Sequence, residues 1–169
     1  MPRKINFSRV KRQCHGGGIM VWGMLMPNGL IALKELQGRQ DAAKYIETMK
    51  TFGVPIMNMN VKHRIGLVQD NCSIHVASVA RDFFKTQDLD LIEWPSNSPD
   101  LNLMENIWKM LSDIIYSGIQ PRNKKELQKK LFEAVDVINS DKRDISKNLY
   151  INFRERLTKV LLTKGNLYN

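Results

Sequence analysis

The stretch from Val68 to Trp108 constrains the fold more than any other part of the chain. A short, largely apolar run, Arg64 to Gln69, ends on Asp70. A helical pattern follows, begun by His75, with Val76, Val79, Ala80, Phe83 and Phe84 on one face. A second apolar run, Leu89 to Trp94, stops at Pro95. Pro95 to Pro99 cannot be helix, because proline lacks a backbone donor and its ring clashes with the preceding turn. Helical spacing resumes with Met104, Ile107, Trp108, Leu111 and Ile115. Short strands alternating with helices predict an α/β layered fold.

Two of these breaks carry an acid. Asp70 closes a strand, and Glu105 falls in the first turn of a helix, with 34 residues between them. Ligand groups in open α/β sheets gather at the carboxyl ends of strands. Two carboxylates fixed in this way can share a hard divalent cation, which takes oxygen ligands. That is the arrangement of two-metal phosphodiester chemistry. An ordinary alternative stays open. Glu105 lies three residues after Asn102, a capping-box spacing, and Asp70-Asn71 can simply begin a turn.

Upstream, Ile19 to Met26 and Leu30 to Leu36 flank Pro27-Asn28-Gly29, which predicts a β-hairpin. His15-Gly16-Gly17-Gly18 before it could form an oxyanion hole, but the sequence has no G-x-S-x-G nucleophile elbow to go with it. Asp41 is placed to cap a helix bearing Ala42, Tyr45, Ile46, Met49 and Phe52, with Gly53 as its C-cap. Pro55 to His63 is expected to be an irregular connection whose methionines fill core. Gly118 is expected to end the helix of Glu105. Asn123 with Glu126 repeats the capping-box spacing ahead of a stripe of Leu127, Leu131, Val135 and Ile138. A last helix carries Leu149, Phe153, Leu157, Val160 and Leu161 up to Gly165. The expected order is β-β-α-β-α-β-α-α-α, with a basic arm at 1–14 and one domain over 15–169.

Composition bounds the function. The chain has 169 residues, 43% hydrophobic and 25% charged, enough for one real core. No apolar run approaches the ~20 residues of a membrane span, and Met1 to Gln13 has no apolar signal segment. Cys14 and Cys72 make no disulfide framework. Cys14-His15, or Cys72 with His75, fits no standard zinc spacing, so ordinary cysteines are expected. The net charge of +9 sits at the flanks. Residues 1–15 hold five Lys/Arg and no acid, and residues 122–169 hold twelve Lys/Arg and six acids. The middle, 16–121, is slightly acidic, with nine basic and eleven acidic groups. Such a pattern suits a protein that grips a polyanion with its edges and cations with its centre.

The segments Gln69-Asp70-Asn71 with His75, and Trp94-Pro95…Ser98-Pro99-Asp100-Leu101-Asn102…Glu105-Asn106…Trp108, set 34 residues apart by their acids, resemble the catalytic domain of Tc/mariner-type DDE transposases. The likeness runs from about His15 to the C-terminus. Two departures are Leu103, where that family usually has proline, and Cys72-Ser73, in place of a small residue and proline. The resemblance implies a ribonuclease-H-like mixed sheet flanked by helices. It implies Mg²⁺ or Mn²⁺ as cofactor, with Asp70 and Glu105 as catalytic metal ligands. Asn71, His75, Ser98, Asp100 and Asn106 would support the site. It further implies strand cleavage and strand transfer in DNA transposition, double-stranded DNA (transposon ends and target) as partner, a homodimer, no membrane, and a nuclear location. Arg3, Lys4, Arg9, Lys11, Arg12, Lys124 and Lys125 are the candidate phosphate contacts. The family's first catalytic Asp lies on an upstream, central strand. Here no Asp or Glu precedes Glu35, so that strand is expected to be missing and the activity impaired. The alternative is a catalytically dead DNA-binding or protein-interaction module.

Overall fold

The computed structural model describes residues 18–60, 66–92 and 102–162. Strands β1 (Met20–Leu25) and β2 (Ile31–Leu36) form the expected antiparallel hairpin, with Met20 opposite Leu36 and Leu25 opposite Ile31. The turn needs Gly29, whose φ is +83°. A Cβ there would also stand 2.5 Å from the Arg143 carbonyl oxygen, so the turn tip seats against the start of the last helix. Asn28 closes the turn by accepting from the Leu30 N–H at 3.0 Å.

The hairpin is a wall between two cores, because its strands have apolar residues on both faces. Ile19, Val21, Ile31 and Leu33 join a wholly aliphatic cluster with Ile107, Leu111, Ile115, Leu127, Leu131, Ala134, Val135 and Ile138. Met24 and Met26, with Trp22 beside them, point the other way, into Tyr45, Met49, Met57, Ala80 and Phe84. The period of two along β1 therefore assigns neighbours to different layers.

Helix α1 (Ala42–Thr48) starts on Asp41, which accepts from the Lys44 N–H at 2.9 Å. Here the structure corrects two expectations. Gly53 does not end the helix, and Pro55 to Asn60, the described part of the expected irregular connection, is helical. A wider π turn at Met49–Gly53 leads directly into α2 (Val54–Asn60). The Val54 N–H reaches the Met49 carbonyl, five residues back. Pro55 has no N–H to give and would clash in a tight α turn, and the widened turn before it accommodates the ring.

Strands β3 (Gly66–Val68) and β4 (Asp90–Ile92) pair in parallel, Leu67 opposite Leu91. Helix α3 (Ser78–Thr86) connects them and buries Ala80 and Phe84. It begins three residues later than expected, because Cys72 to His75 form a turn in which the His75 N–H bonds to the Cys72 carbonyl at 2.8 Å. Among the described residues the strands make two separate two-stranded sheets, β1 with β2 and β3 with β4.

Helix α4 (Leu103–Ile115) is capped by Asn102 and buries Ile107, Leu111 and Ile115, as expected. It stops at Tyr116, just short of Gly118. Helix α5 (Lys124–Ser140) is capped by Asn123 and buries the expected stripe. The Glu126 carboxylate reaches back to the Arg122 N–H at 2.8 Å, one residue earlier than a capping box would place it. Helix α6 (Arg143–Leu162) begins six residues before Leu149. Asn139 on α5 acts as a strand substitute. It accepts from the Ile31 N–H at 2.8 Å and donates to the Ile31 carbonyl at 2.9 Å, which covers part of the outer edge of β2. Among the described residues no helix is long and apolar enough to cross a membrane.

Candidate metal-binding site

Asp70 stands two residues beyond the end of β3, with 46% of its side chain exposed. Its Oδ1 accepts twice, from His75 Nδ1 at 2.6 Å and from the Cys72 N–H at 3.2 Å. The His75 hydrogen bond is the main reason that the Asp70 carboxyl is held below its usual range; burial works in the opposite direction. Asp70 is thus a ready anion at neutral pH. Among the described residues both bonds fall on Oδ1, which leaves Oδ2 as the oxygen available to a cation.

His75 is only 13% exposed and is fixed from three sides. Its ring lies against Tyr45, centroids 4.4 Å apart. Its carbonyl accepts from Gln69 Nε2 at 3.1 Å, and Gln69 Oε1 accepts in turn from the Tyr45 hydroxyl. Burial, then the neighbouring Asp70 charge, raises the Tyr45 phenol far above its ordinary range, so it stays a donor. Tyr45 and Gln69 were not singled out as site residues from sequence. Tyr45 sits at a core position of a helical stripe, and nothing local shows that its hydroxyl turns toward position 69.

Glu105 lies in the first turn of α4, its N–H bonded to the Asn102 carbonyl at 3.0 Å. Its position is set by how α4 packs on the hairpin. A Cβ on Gly23 would meet Trp108 at 2.5 Å, Leu33 at 2.7 Å and Met104 at 2.8 Å. Only glycine lets α4 approach so closely. Asn106 is partly buried on the same helix, and Asn71 is exposed beside Asp70.

The structure brings Asp70, Cys72 and His75 together, with one potential ligand atom from each lying within 4.8 Å of the others. Glu105 is outside that group. Lys124 bonds to Glu35 at 3.1 Å, and Gln128 donates to the same carboxylate, so Lys124 serves the fold as well as the surface. Lys125 is exposed. Ser98, Asp100, Arg3, Lys4, Arg9, Lys11 and Arg12 lie outside the described residues. A pocket lined by Trp22, Leu36, Gln40, Tyr45, Thr48, Ile74 and His75 measures about 10 Å³, room for roughly one water and no small-molecule substrate.

Comparison with known proteins agrees with these features. A family model described as DDE superfamily endonuclease matches residues 6–128. The Tc3 transposase of Caenorhabditis elegans is 28% identical over 163 residues, 96% of this chain and 48% of that protein. The Tc1 transposase of the same organism is 35% identical over 118 residues, 67% of this chain and 43% of that protein. The chain thus spans about half the length of the curated relatives it matches. The crystal structure of the catalytic domain of Mos1 mariner transposase superposes with a TM-score of 0.73 at 18% identity, covering 90% of this chain and 76% of that one. The Mos1 mariner paired end complex with Mn gives 0.74 at 17% identity, covering 96% and 48%. These structural likenesses establish the fold, a ribonuclease-H-like mixed α/β domain with small sheets flanked by helices. Taken with the match over most of its sequence, they place this chain in the Tc/mariner-type transposase branch of the DDE superfamily endonucleases.

Proposed function

We propose that Asp70 and Glu105 are two of the carboxylates of a Mg²⁺- or Mn²⁺-dependent site for DNA strand cleavage and strand transfer. The observation that carries this is the state of Asp70: at a strand end, half exposed, and held ionised by a nearly buried His75. An oxygen donor of this kind suits a hard cation. A divalent cation held there would supply the charge that activates an attacking oxygen and stabilises the leaving one. The residues of this chain do the rest. His75 orients the carboxylate through Nδ1, Tyr45 and Gln69 hold His75, and the Gly23 contact seats the helix that carries Glu105. The Mos1 structures with Mn and with a transposon end support a metal and DNA as ligands. A homodimer on transposon ends and a nuclear location go with this proposal.

Glu35, the earliest acid in the sequence, is bound to Lys124 and Gln128. It is therefore no substitute for a third metal-holding carboxylate, and the activity proposed for these 169 residues alone is weak. The test is nicking of supercoiled plasmid by the purified chain in Mn²⁺. Slow nicking, abolished by Glu105→Gln and by Asp70→Asn, is expected. Nicking that survives both substitutions or needs no metal would rule the assignment out.

A second reading rests on the charge of residues 122–169, twelve Lys/Arg against six acids. It is a DNA-binding module without catalysis. Filter binding of duplex DNA should then weaken steeply with salt, because phosphate contacts release counterions. Affinity that is absent at low salt removes it.

A further inference from the structure

We propose that the turn Asp70–His75 is a binding site for a borderline, zinc-like divalent cation, held by the Asp70 carboxylate, the Cys72 thiolate and His75 Nδ1. The sequence spacing alone predicted no such site. Folding the turn changes that. Cys72 accepts from the His75 N–H through its carbonyl and donates its own N–H to Asp70. These two bonds curl the segment and bring three different ligand types together, with ligand atoms within 4.8 Å of one another. Cys72 is a free, partly exposed cysteine, and Asp70 is exposed, so an ion can enter.

The geometry is close to what a tetrahedral ion requires. Bonds of about 2.0–2.3 Å put neighbouring ligand atoms roughly 3.3–3.6 Å apart. The Asp70–His75 separation is 2.6 Å, and all three ligand atoms lie within 4.8 Å of one another, a span that includes that value. Binding releases the Cys72 thiol proton to solvent and moves the imidazole proton from Nδ1 to Nε2. Three protein ligands leave a fourth position open to water. A thiolate is a poor ligand for Mg²⁺ and a good one for Zn²⁺ or Co²⁺. The site therefore selects a different class of ion from the one proposed for catalysis. It also draws on Asp70, so an ion in the turn competes with Mg²⁺ for that carboxylate. This last consequence rests on the function proposed above; the binding does not.

Co²⁺ is the probe, because a thiolate bound to it gives a charge-transfer absorption that oxygen ligands do not. The parent is the full chain carrying Cys14→Ser, which leaves Cys72 as the sole thiol. Titration should produce the band with one-to-one stoichiometry, and Zn²⁺ should bleach it. Cys72→Ser should abolish it. His75→Gln should weaken binding by more than the roughly 10–100-fold that losing a mere outer-shell partner costs. Circular dichroism melts of each variant separate ligand loss from unfolding. No band in the folded parent at millimolar Co²⁺, or a band of unchanged affinity in folded His75→Gln, overturns the proposal. Neither result depends on nicking activity, so the site and the proposed catalysis fail separately.

Discussion

The two faces of the β1–β2 hairpin hold the two acids by different means. On one face the fully buried residues are all aliphatic, and α4 is locked by Ile107, Leu111 and Ile115, each at most 1% exposed. Glu105 takes its place from that packing. On the other face the core is methionine and aromatic, with Met24, Met26, Met49, Met57, Tyr45 and Phe84. Methionine is unbranched and fills irregular space, so it fixes geometry less sharply. Asp70 is positioned there by a polar chain instead: Tyr45 to Gln69, Gln69 to the His75 backbone, and the His75 ring to Asp70. The contrast shows two ways to fix a carboxylate, by a rigid helix seat and by hydrogen bonds laid over a pliable core.

If that contrast is right, the faces should respond unequally to substitution. Leu111→Ala should cost about 2–5 kcal/mol, since it opens a cavity among branched neighbours with little freedom to collapse. Met57→Ala, at a position almost as buried, should fall at the low end of that range of about 2–5 kcal/mol, because flexible methionine neighbours can collapse into the space. Urea unfolding of the two variants makes the comparison. Equal losses would mean that the methionine face is as tightly specified as the aliphatic one.

Gly23→Ala sharpens the same point at the contact itself. The new methyl would lie 2.5 Å from Trp108 and 2.8 Å from Met104. Overpacking of this kind should cost about 1–3 kcal/mol, and it should lower nicking by more than the stability loss explains, because α4 carries Glu105. Unaltered nicking in the folded variant would show that the position of Glu105 is not set here. Asn139→Ala should cost about 1–3 kcal/mol by leaving the Ile31 N–H and carbonyl short of partners, with no effect on the Asp70 turn. Thermal melts and Co²⁺ titration together check that separation.

The sequence made the packing legible and the polar chain illegible, for a physical reason. Strand alternation, the caps at Asp41, Asn102 and Asn123, and the stripe of α5 are local patterns, and each was found where expected. The family motif gave the fold and the acids' approximate settings. Three features escaped. The π turn before Pro55 depends on a one-residue insertion that leaves no periodic trace. The later start of α3 depends on the bonds that Cys72 makes. The Tyr45–Gln69–His75 links join a helix to a turn more than twenty residues away. Spacing alone cannot report a contact that only tertiary packing creates. The one signal available was the Asp-x-Cys-x-x-His pattern at 70–75, which matches no standard metal spacing.

The smallest expected effect concerns pH, and it isolates the hydrogen-bonded face. The Asp70 carboxyl ordinarily titrates near 3.8, and in the fold its value is lower, chiefly through His75. The folded state therefore releases that proton more readily than the unfolded one. The resulting stability is fully present above the unfolded value and is lost as pH falls through the lower folded value. Glu126 behaves likewise beside Arg122 on the helical face, so the Asp70 share must be read as a difference. Urea midpoints between neutral pH and the acid side of 3.8 should fall less steeply in Asp70→Asn than in the parent. His75→Gln should flatten the slope in the same window, because it removes the main cause of the shift. Arg122→Ala should flatten it in part, because it removes the side-chain contact to Glu126 but keeps the Arg122 N–H that is the main cause of that shift, and its effect should add to that of Asp70→Asn, since the two sites share no partner. A slope unchanged in Asp70→Asn would mean that the polar chain orients Asp70 without stabilising the fold, and the second way of fixing a carboxylate would then be a matter of geometry alone.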